Sequence, residues 1–216
     1  MALEFASIDV TTNEGVTLRH TLSYHNNPVS NRLLVLLPGR AYTVTSPALH
    51  YLGKAGLSAG YDLLPVTFGF QAAPERVDGV GDLLGEARAA VLRALERGYG
   101  HICIAGKSLG SPVAAALAQE LTVKQVRLIL LTPVAQAVSF VGDVETLAVI
   151  GSADPMYDAQ AVADETRPNV TWRVFDGLNH GLEKEGDWRG SISALAEVTA
   201  ACDGFLRADE GAGNRG

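Results

Sequence analysis

The sequence is poor in cysteine, in aromatic residues and in clustered positive charge. Its two cysteines are Cys103 and Cys202. The first falls inside an apolar run and the second on a helical apolar stripe, so both read as small buried hydrophobes, not as a disulfide pair or metal ligands. The five histidines stand at no ligand spacing to them, and neither a metal nor a cofactor is expected. Lysine and arginine number 17 against 24 acids, giving a formal net charge of -7. Nowhere do the basic residues form a run. A phosphate-binding face needs such clustering, so nucleic acid is not an expected partner. No apolar stretch is long enough to span a bilayer, and no membrane partner is expected. Met1 to Val10 carries acids among its apolar residues and lacks a basic start, unlike a signal peptide. The expected compartment is the reducing cytoplasm.

What is present describes a folded chain. Hydrophobic residues make up 47% and charged residues 19% of 216 positions. That composition is globular, and the length suits one domain over residues 1–207, with a polar, Gly-rich tail over 208–216 that is expected to be disordered.

Taken in order, Glu4 to Val10 and Val16 to Tyr24 alternate apolar and polar residues around the turn Thr11-Thr-Asn-Glu-Gly15. They predict an antiparallel hairpin at a sheet edge. Asn26 to Asn31 is a loop. Arg32 to Leu37 is apolar throughout, which predicts a strand covered on both faces and a sheet that is parallel from there on. Ser46-Pro47 predicts an N-cap with proline at the first helical position, for a helix lined by Leu49, Leu52 and Leu57 and closed by Gly60. A strand follows from Tyr61 to Phe68, with regular pairing expected to stop near Pro65, which has no N–H to donate. Phe68 to Pro74 reads as loop.

Helical spacing over Val80 to Arg97, ended by Gly98, predicts an amphipathic helix. Further strands are expected at His101 to Ala105, Val126 to Leu131, Thr146 to Ile150 and Val170 to Phe175. Helices are expected at Leu109 to Leu121, Ala159 to Thr166 and Ser191 to Arg207. The last should bury Ile192, Leu195, Ala196, Thr199, Cys202 and Leu206 on one face. Strands alternating with helices define an α/β architecture. The short span from Leu131 to Thr146 leaves room only for a small lid, so an open site is expected.

The chemistry centres on His101 to Gly110, where an apolar strand turns at Gly106-Lys-Ser-Leu-Gly110 into an alanine-rich helix. In that context a G-x-S-x-G pattern holds a serine hydroxyl clear of the sheet edge, on a strained turn at the positive end of a helix. A serine at neutral pH needs a base, an acid to orient the base, and donors for the developing oxyanion. In open parallel sheets such groups gather at the carboxyl ends of strands. Asp154 follows one strand in Gly151-Ser-Ala-Asp154, and His180 follows another in Gly177-Leu-Asn-His-Gly181. Ser108, Asp154 and His180, in that chain order, are the candidate catalytic residues.

The oxyanion donors are expected to be the backbone N–H of Leu109 and one from the loop after Leu37, first Arg40 and second Ala41. Tyr42, Phe68, Phe70, Met156 and Tyr157 are candidates to line a substrate pocket. Among competitors, Asp143 is an alternative orienting acid and Asp176 a strand-end polar residue. His20, His25 and His50 have no serine or acid logic around them, and His101 starts its strand at the wrong end. Lys107 should point away from the site, and Glu183 and Glu185 mark a solvated face.

Over Val16 to Leu206 the chain resembles the α/β-hydrolase superfamily. The motifs that carry the likeness are Leu36-Leu-Pro-Gly39, Gly106-Lys-Ser-Leu-Gly110, Gly151-Ser-Ala-Asp154 and Gly177-Leu-Asn-His-Gly181. It looks most like small lidless members near the dienelactone-hydrolase and carboxylesterase groups, with Pro38-Gly39 where the family often has His-Gly. The resemblance implies a mostly parallel twisted sheet of about eight strands with helices on both faces and no substantial cap domain. Dienelactone hydrolases use cysteine where this chain has Ser108, so the resemblance implies hydrolysis of a small-molecule ester or thioester. The alternatives are a non-catalytic small-molecule binder on the same fold, or a peptidase or protein thioesterase.

Overall fold

The parallel strands are apolar on both faces because the sheet is buried between two helical layers. In the computed structural model, which describes residues 3–12, 15–72, 79–134 and 137–208, eight strands form one sheet in the order β1-β2-β4-β3-β5-β6-β7-β8. These are β1 Leu3–Thr11, β2 Thr17–His25, β3 Arg32–Leu37, β4 Asp62–Pro65, β5 His101–Lys107, β6 Gln125–Leu131, β7 Glu145–Gly151 and β8 Val170–Phe175. The hairpin β1/β2 is antiparallel and joins β4 antiparallel at Ser23 and Leu63, while all pairs from β4 to β8 are parallel.

Successive strand residues point to opposite faces, and this period of two splits the core. Leu33, Val35, Leu37, Ile102 and Ile104 pack on one face against α3 (Val80–Leu95) and α4 (Gly110–Glu120). Leu34, Leu36, Cys103, Ala105 and Val149 pack on the other against α1 (Pro47–Ser58) and α6 (Trp188–Arg207). Both cysteines are buried and free, and burial pushes the Cys202 thiol up to about 12.

Several elements depart from the expected boundaries. β4 ends at Pro65, near where regular pairing was expected to stop, although Val66 still donates to the Leu36 carbonyl at 2.9 Å. Phe68 to Pro74 is not all loop, because Gly69–Ala72 forms a helical turn, α2. Its start is held from elsewhere in the chain: Gly69 N–H donates to Glu86 at 2.8 Å. Ser46 precedes α1, but its side chain makes no capping bond. α3 stops at Leu95, and Val80 at its start is exposed. The helix after β7, α5, is shorter than expected, Ala159–Ala163.

α6 begins earlier, at Trp188, where Asp187 accepts from Gly190 N–H. Its buried row is Ala194, Val198, Cys202 and Leu206, a strict i, i+4 ridge. Ile192 and Ala196, expected inside, face outward. Between β6 and β7, Val138–Phe140 makes a short 3₁₀ turn that the periodicity did not show. The tail after Ala208 lies outside the described residues. Among the described residues no segment forms a cap over the sheet, and no helix is long and apolar enough to cross a membrane.

Candidate active site

Five loops meet at the carboxyl ends of β3, β5, β6, β7 and β8. The turn after β5 is the tightest. Ser108 has φ 50, in the left-handed region that side chains seldom adopt. The flanking glycines leave no alternative: a Cβ on Gly106 would lie 2.4 Å from the Gly110 carbonyl oxygen, and one on Gly110 would lie 2.5 Å from that of Leu37. The Ser108 N–H donates to the Leu131 carbonyl at 2.9 Å, and its own carbonyl accepts from Ser111 Oγ at 2.5 Å and Ser111 N–H at 2.8 Å. The strained turn is thus pinned on both sides.

The loops after β7 and β8 carry the partners. Asp154 sits in a turn closed by its N–H on the Gly151 carbonyl, and its side chain is fully buried. Met156 N–H donates to its Oδ1 at 2.8 Å. The two loops are tied together: Ala153 N–H donates to the Leu178 carbonyl at 3.0 Å, and Ser152 Oγ donates to Asp176 at 2.9 Å while accepting from Gly177 N–H. Asp176 is therefore a brace between the loops.

His180 bridges the other two candidates. Its Nδ1 lies 2.9 and 3.0 Å from the two Asp154 oxygens, and its Nε2 lies 2.8 Å from Ser108 Oγ. An ionised carboxylate only accepts, so the ring hydrogen belongs on Nδ1, which leaves Nε2 free to accept from the serine hydroxyl. The imidazole is 39% exposed, and Ser108 is itself only half-buried.

Among the described residues, the amides expected to bind an oxyanion, those of Leu109 and Arg40, donate to no backbone group, and nor does that of Ala41. Leu109 stands at the start of α4, where unpaired N–H groups and the helix dipole favour negative charge. Arg40 turns its guanidinium over the Phe70 ring at 5.4 Å.

The five pocket candidates separate. Tyr42 is half-buried beside the His180 loop, and its hydroxyl accepts from Ala48 N–H at 2.8 Å. It lines a cavity of about 530 Å³ with Leu182, Trp188, Ile192 and Leu195. Phe68 and Phe70 do not line it. They stack with ring centroids 5.8 Å apart inside the core under α3, because α2 folds them inward. Met156 lines a small cavity of about 100 Å³ beyond β7 with Pro133 and Trp172. Tyr157 is partly buried and closes the Asp154 turn through its N–H. Trp188 lies outside the candidates, and Ile192, expected on the buried face of the last helix, is exposed, because periodicity cannot tell which of two adjoining apolar faces is covered.

Among the competitors, Asp143 precedes β7 and so lies at the opposite end of the sheet. His50 is exposed, in edge contact with Tyr51. His101 starts β5 and pairs with Gln125 at 2.9 Å. His20 is buried and accepts from Thr67 N–H, its basicity lowered by burial. Glu183 and Glu185 are exposed. Two expectations fail. His25 does have an acid partner: its Nδ1 lies 2.9 Å from Asp62, which also accepts from Tyr99 at 2.5 Å. Lys107 does not point away. It is buried, and its ammonium donates to Thr132 Oγ1 at 2.5 Å and to the His180 carbonyl at 2.7 Å. An even count from Cys103 and Ala105 puts Lys107 on the α1/α6 face.

No protein-family model and no curated protein matches the chain in sequence. Solved structures do resemble it. An α/β serine hydrolase without a lid from Xanthomonas campestris superposes with TM-score 0.71 at 18% identity, over 96% of each chain. Est1E from Butyrivibrio proteoclasticus gives 0.76 at 16%, over 95% of this chain and 99% of that one. An esterase from Pyrococcus furiosus gives 0.70 at 18%, over 95% and 93%. The chain has the α/β-hydrolase fold.

Proposed function

We propose that this protein is a serine hydrolase that cleaves a carboxylic ester or thioester of a small substrate through an acyl-enzyme on Ser108. One observation carries the reading: a single imidazole stands 2.8 Å from the hydroxyl of a strained serine and 2.9 Å from a buried carboxylate. His180 Nε2 takes the Ser108 proton as Oγ attacks the substrate carbonyl carbon. The negative charge that forms on the carbonyl oxygen is met by the Leu109 and Arg40 N–H groups, which donate to no backbone group among the described residues. His180 then gives its proton to the leaving alcohol or thiol. A water enters, loses a proton to His180 and attacks the acyl carbon. Collapse of that second intermediate returns the proton to Ser108 and frees the acid. Asp154 keeps the ring oriented and stabilises its charged form. The hydrolase and esterase neighbours support the general activity. The apolar cavity beside Tyr42 supports an apolar acyl or alcohol group.

The test is labelling by a fluorophosphonate probe, with the modified peptide identified by mass spectrometry, followed by turnover of p-nitrophenyl esters of rising chain length. Attachment at Ser108, lost in Ser108→Ala, is expected. A protein that binds such esters without turnover, equally well as Ser108→Ala, would instead be a binding protein.

A further inference from the structure

Lys107 is the residue before the candidate nucleophile, and its burial calls for a reason. Its side chain continues the Cys103, Ala105 row into the apolar layer under α1 and α6, where only 1% of the residue is exposed. Taking an ammonium out of water costs several kcal/mol unless its hydrogens are well met. Among the described residues no carboxylate forms an ion pair with it. Instead it donates to Thr132 Oγ1 at 2.5 Å and to the His180 carbonyl at 2.7 Å, and stands 4.8 Å from the centre of the Tyr42 ring. An apolar side chain would fill the same space without that cost. The partners chosen are telling. Thr132 follows β6 with φ 42, a strained position pinned by its N–H on the Val149 carbonyl. His180 carries the candidate base, and Tyr42 follows Arg40 and Ala41 in the loop of the second oxyanion donor.

We propose that Lys107 is a positioning residue: its ammonium locks the His180 peptide, the Thr132 turn and Tyr42 into one unit, which holds the imidazole between Ser108 and Asp154. The proposal rests on the hydrolase reading for its kinetic consequences. Its structural part, the placement of the ring, does not. The titratable groups around the ammonium are His180 and Asp154 from the loops after β8 and β7, and Tyr42 from the loop after β3, with Glu183 acting on Tyr42. Burial lowers the Lys107 pKa to about 8, and the nearby Asp154 charge opposes that. Loss of the proton turns two charge-assisted bonds into weaker neutral ones.

The experiment compares wild type with Lys107→Met, Lys107→Gln and Thr132→Ala. Lys107→Met is expected to lose about 30-fold in kcat with KM within about threefold, since sub-ångström misplacement of a base is costly while substrate contacts stay. Lys107→Gln keeps a donor and should recover part of that loss, and Thr132→Ala should lose less than Lys107→Met. Wild-type kcat should fall above pH about 8, and both Lys107 variants should lack that limb. Proton NMR gives a readout free of turnover: the downfield resonance of the His180 ring N–H shared with Asp154 should broaden or vanish in Lys107→Met and persist in Lys107→Gln. Unchanged kcat and an unchanged resonance in Lys107→Met would overturn the proposal, as would losses that match the unfolded fraction of each variant. If Lys107→Met does not fold, the Gln and Thr132 variants decide in the same way. A wild type with no hydrolysis would sink the hydrolase reading, and the NMR comparison would still judge the placement.

Discussion

Two histidine–carboxylate pairs lie at opposite ends of the same sheet. At the carboxyl end, His180 Nδ1 is 2.9 Å from Asp154; at the amino end, His25 Nδ1 is 2.9 Å from Asp62. Both carboxylates are almost wholly buried. The differences lie in what surrounds them. His180 is 39% exposed and offers Nε2 to a serine on a strained turn. The side chain of His25 is 7% exposed, its own N–H also binds Asp62, and the third member is Tyr99. That tyrosine donates to the carboxylate, and burial with the Asp62 charge holds its phenol well above the ordinary range. It is a locked hydrogen-bond donor. The same histidine–carboxylate geometry thus occurs in two different settings, and by the proposed hydrolase reading the distance alone does not mark an active site. An accessible ring, a nucleophile on its far nitrogen and unpaired amides beside it are also required.

The contrast can be broken most severely at its centre. Ser108→Ala or His180→Ala should lower kcat by about 10⁵-fold or more, whereas His25→Ala should leave kcat unchanged; steady-state ester hydrolysis reads both. Asp154→Asn should lower kcat by about 10⁴-fold with the protein still folded, because the amide favours the wrong ring tautomer. Asp62→Asn should behave in the opposite way, keeping kcat while losing about 2–3 kcal/mol of stability in urea, since Asp62 accepts from His25 N–H, His25 Nδ1 and Tyr99.

A pH series sharpens the comparison from the side of Lys107. Its folded pKa, about 8, lies below the ordinary 10.5. Between those values the unfolded chain binds more protons, so the group's contribution to stability rises with pH. The stability of wild type relative to Lys107→Met should therefore increase from pH about 8 to 10.5, by up to a few kcal/mol. No such change should separate wild type from Tyr99→Phe, which should cost about 1–2 kcal/mol near neutrality for one buried hydrogen bond.

Much of this was legible in the chain. Arg32–Leu37 and Val170–Phe175 have the bounds expected for them. β4 ends at Pro65, near where regular pairing was expected to stop, although Val66 beyond it still bonds to Leu36. The residues around Ser108, Asp154 and His180 could be picked out because each follows a strand, and the fold brings those strand ends together. What could not be read was decided by tertiary contact. α2 starts where Glu86, seventeen residues along, accepts from Gly69 N–H. α6 buries its small row, Ala194 and Cys202, and leaves Ile192 outside, because α1 and the sheet accept a close ridge there. Lys107 reads as pointing away from the site because nothing local announces that Thr132 and His180 will supply acceptors. Asp62 and His25 meet across a pairing of β2 with β4 that involves one residue pair.

The left-handed backbone at residue 108 has a thermodynamic corollary. Ser108→Gly and Ser108→Ala both delete the hydroxyl, but only glycine adopts φ 50 without steric penalty. The glycine variant should therefore melt higher than the alanine one, by an amount equivalent to about 1 kcal/mol, reversing the order seen at most positions in proteins. Selection for backbone stability alone would therefore favour glycine at position 108, so keeping a serine there carries a cost in folding free energy.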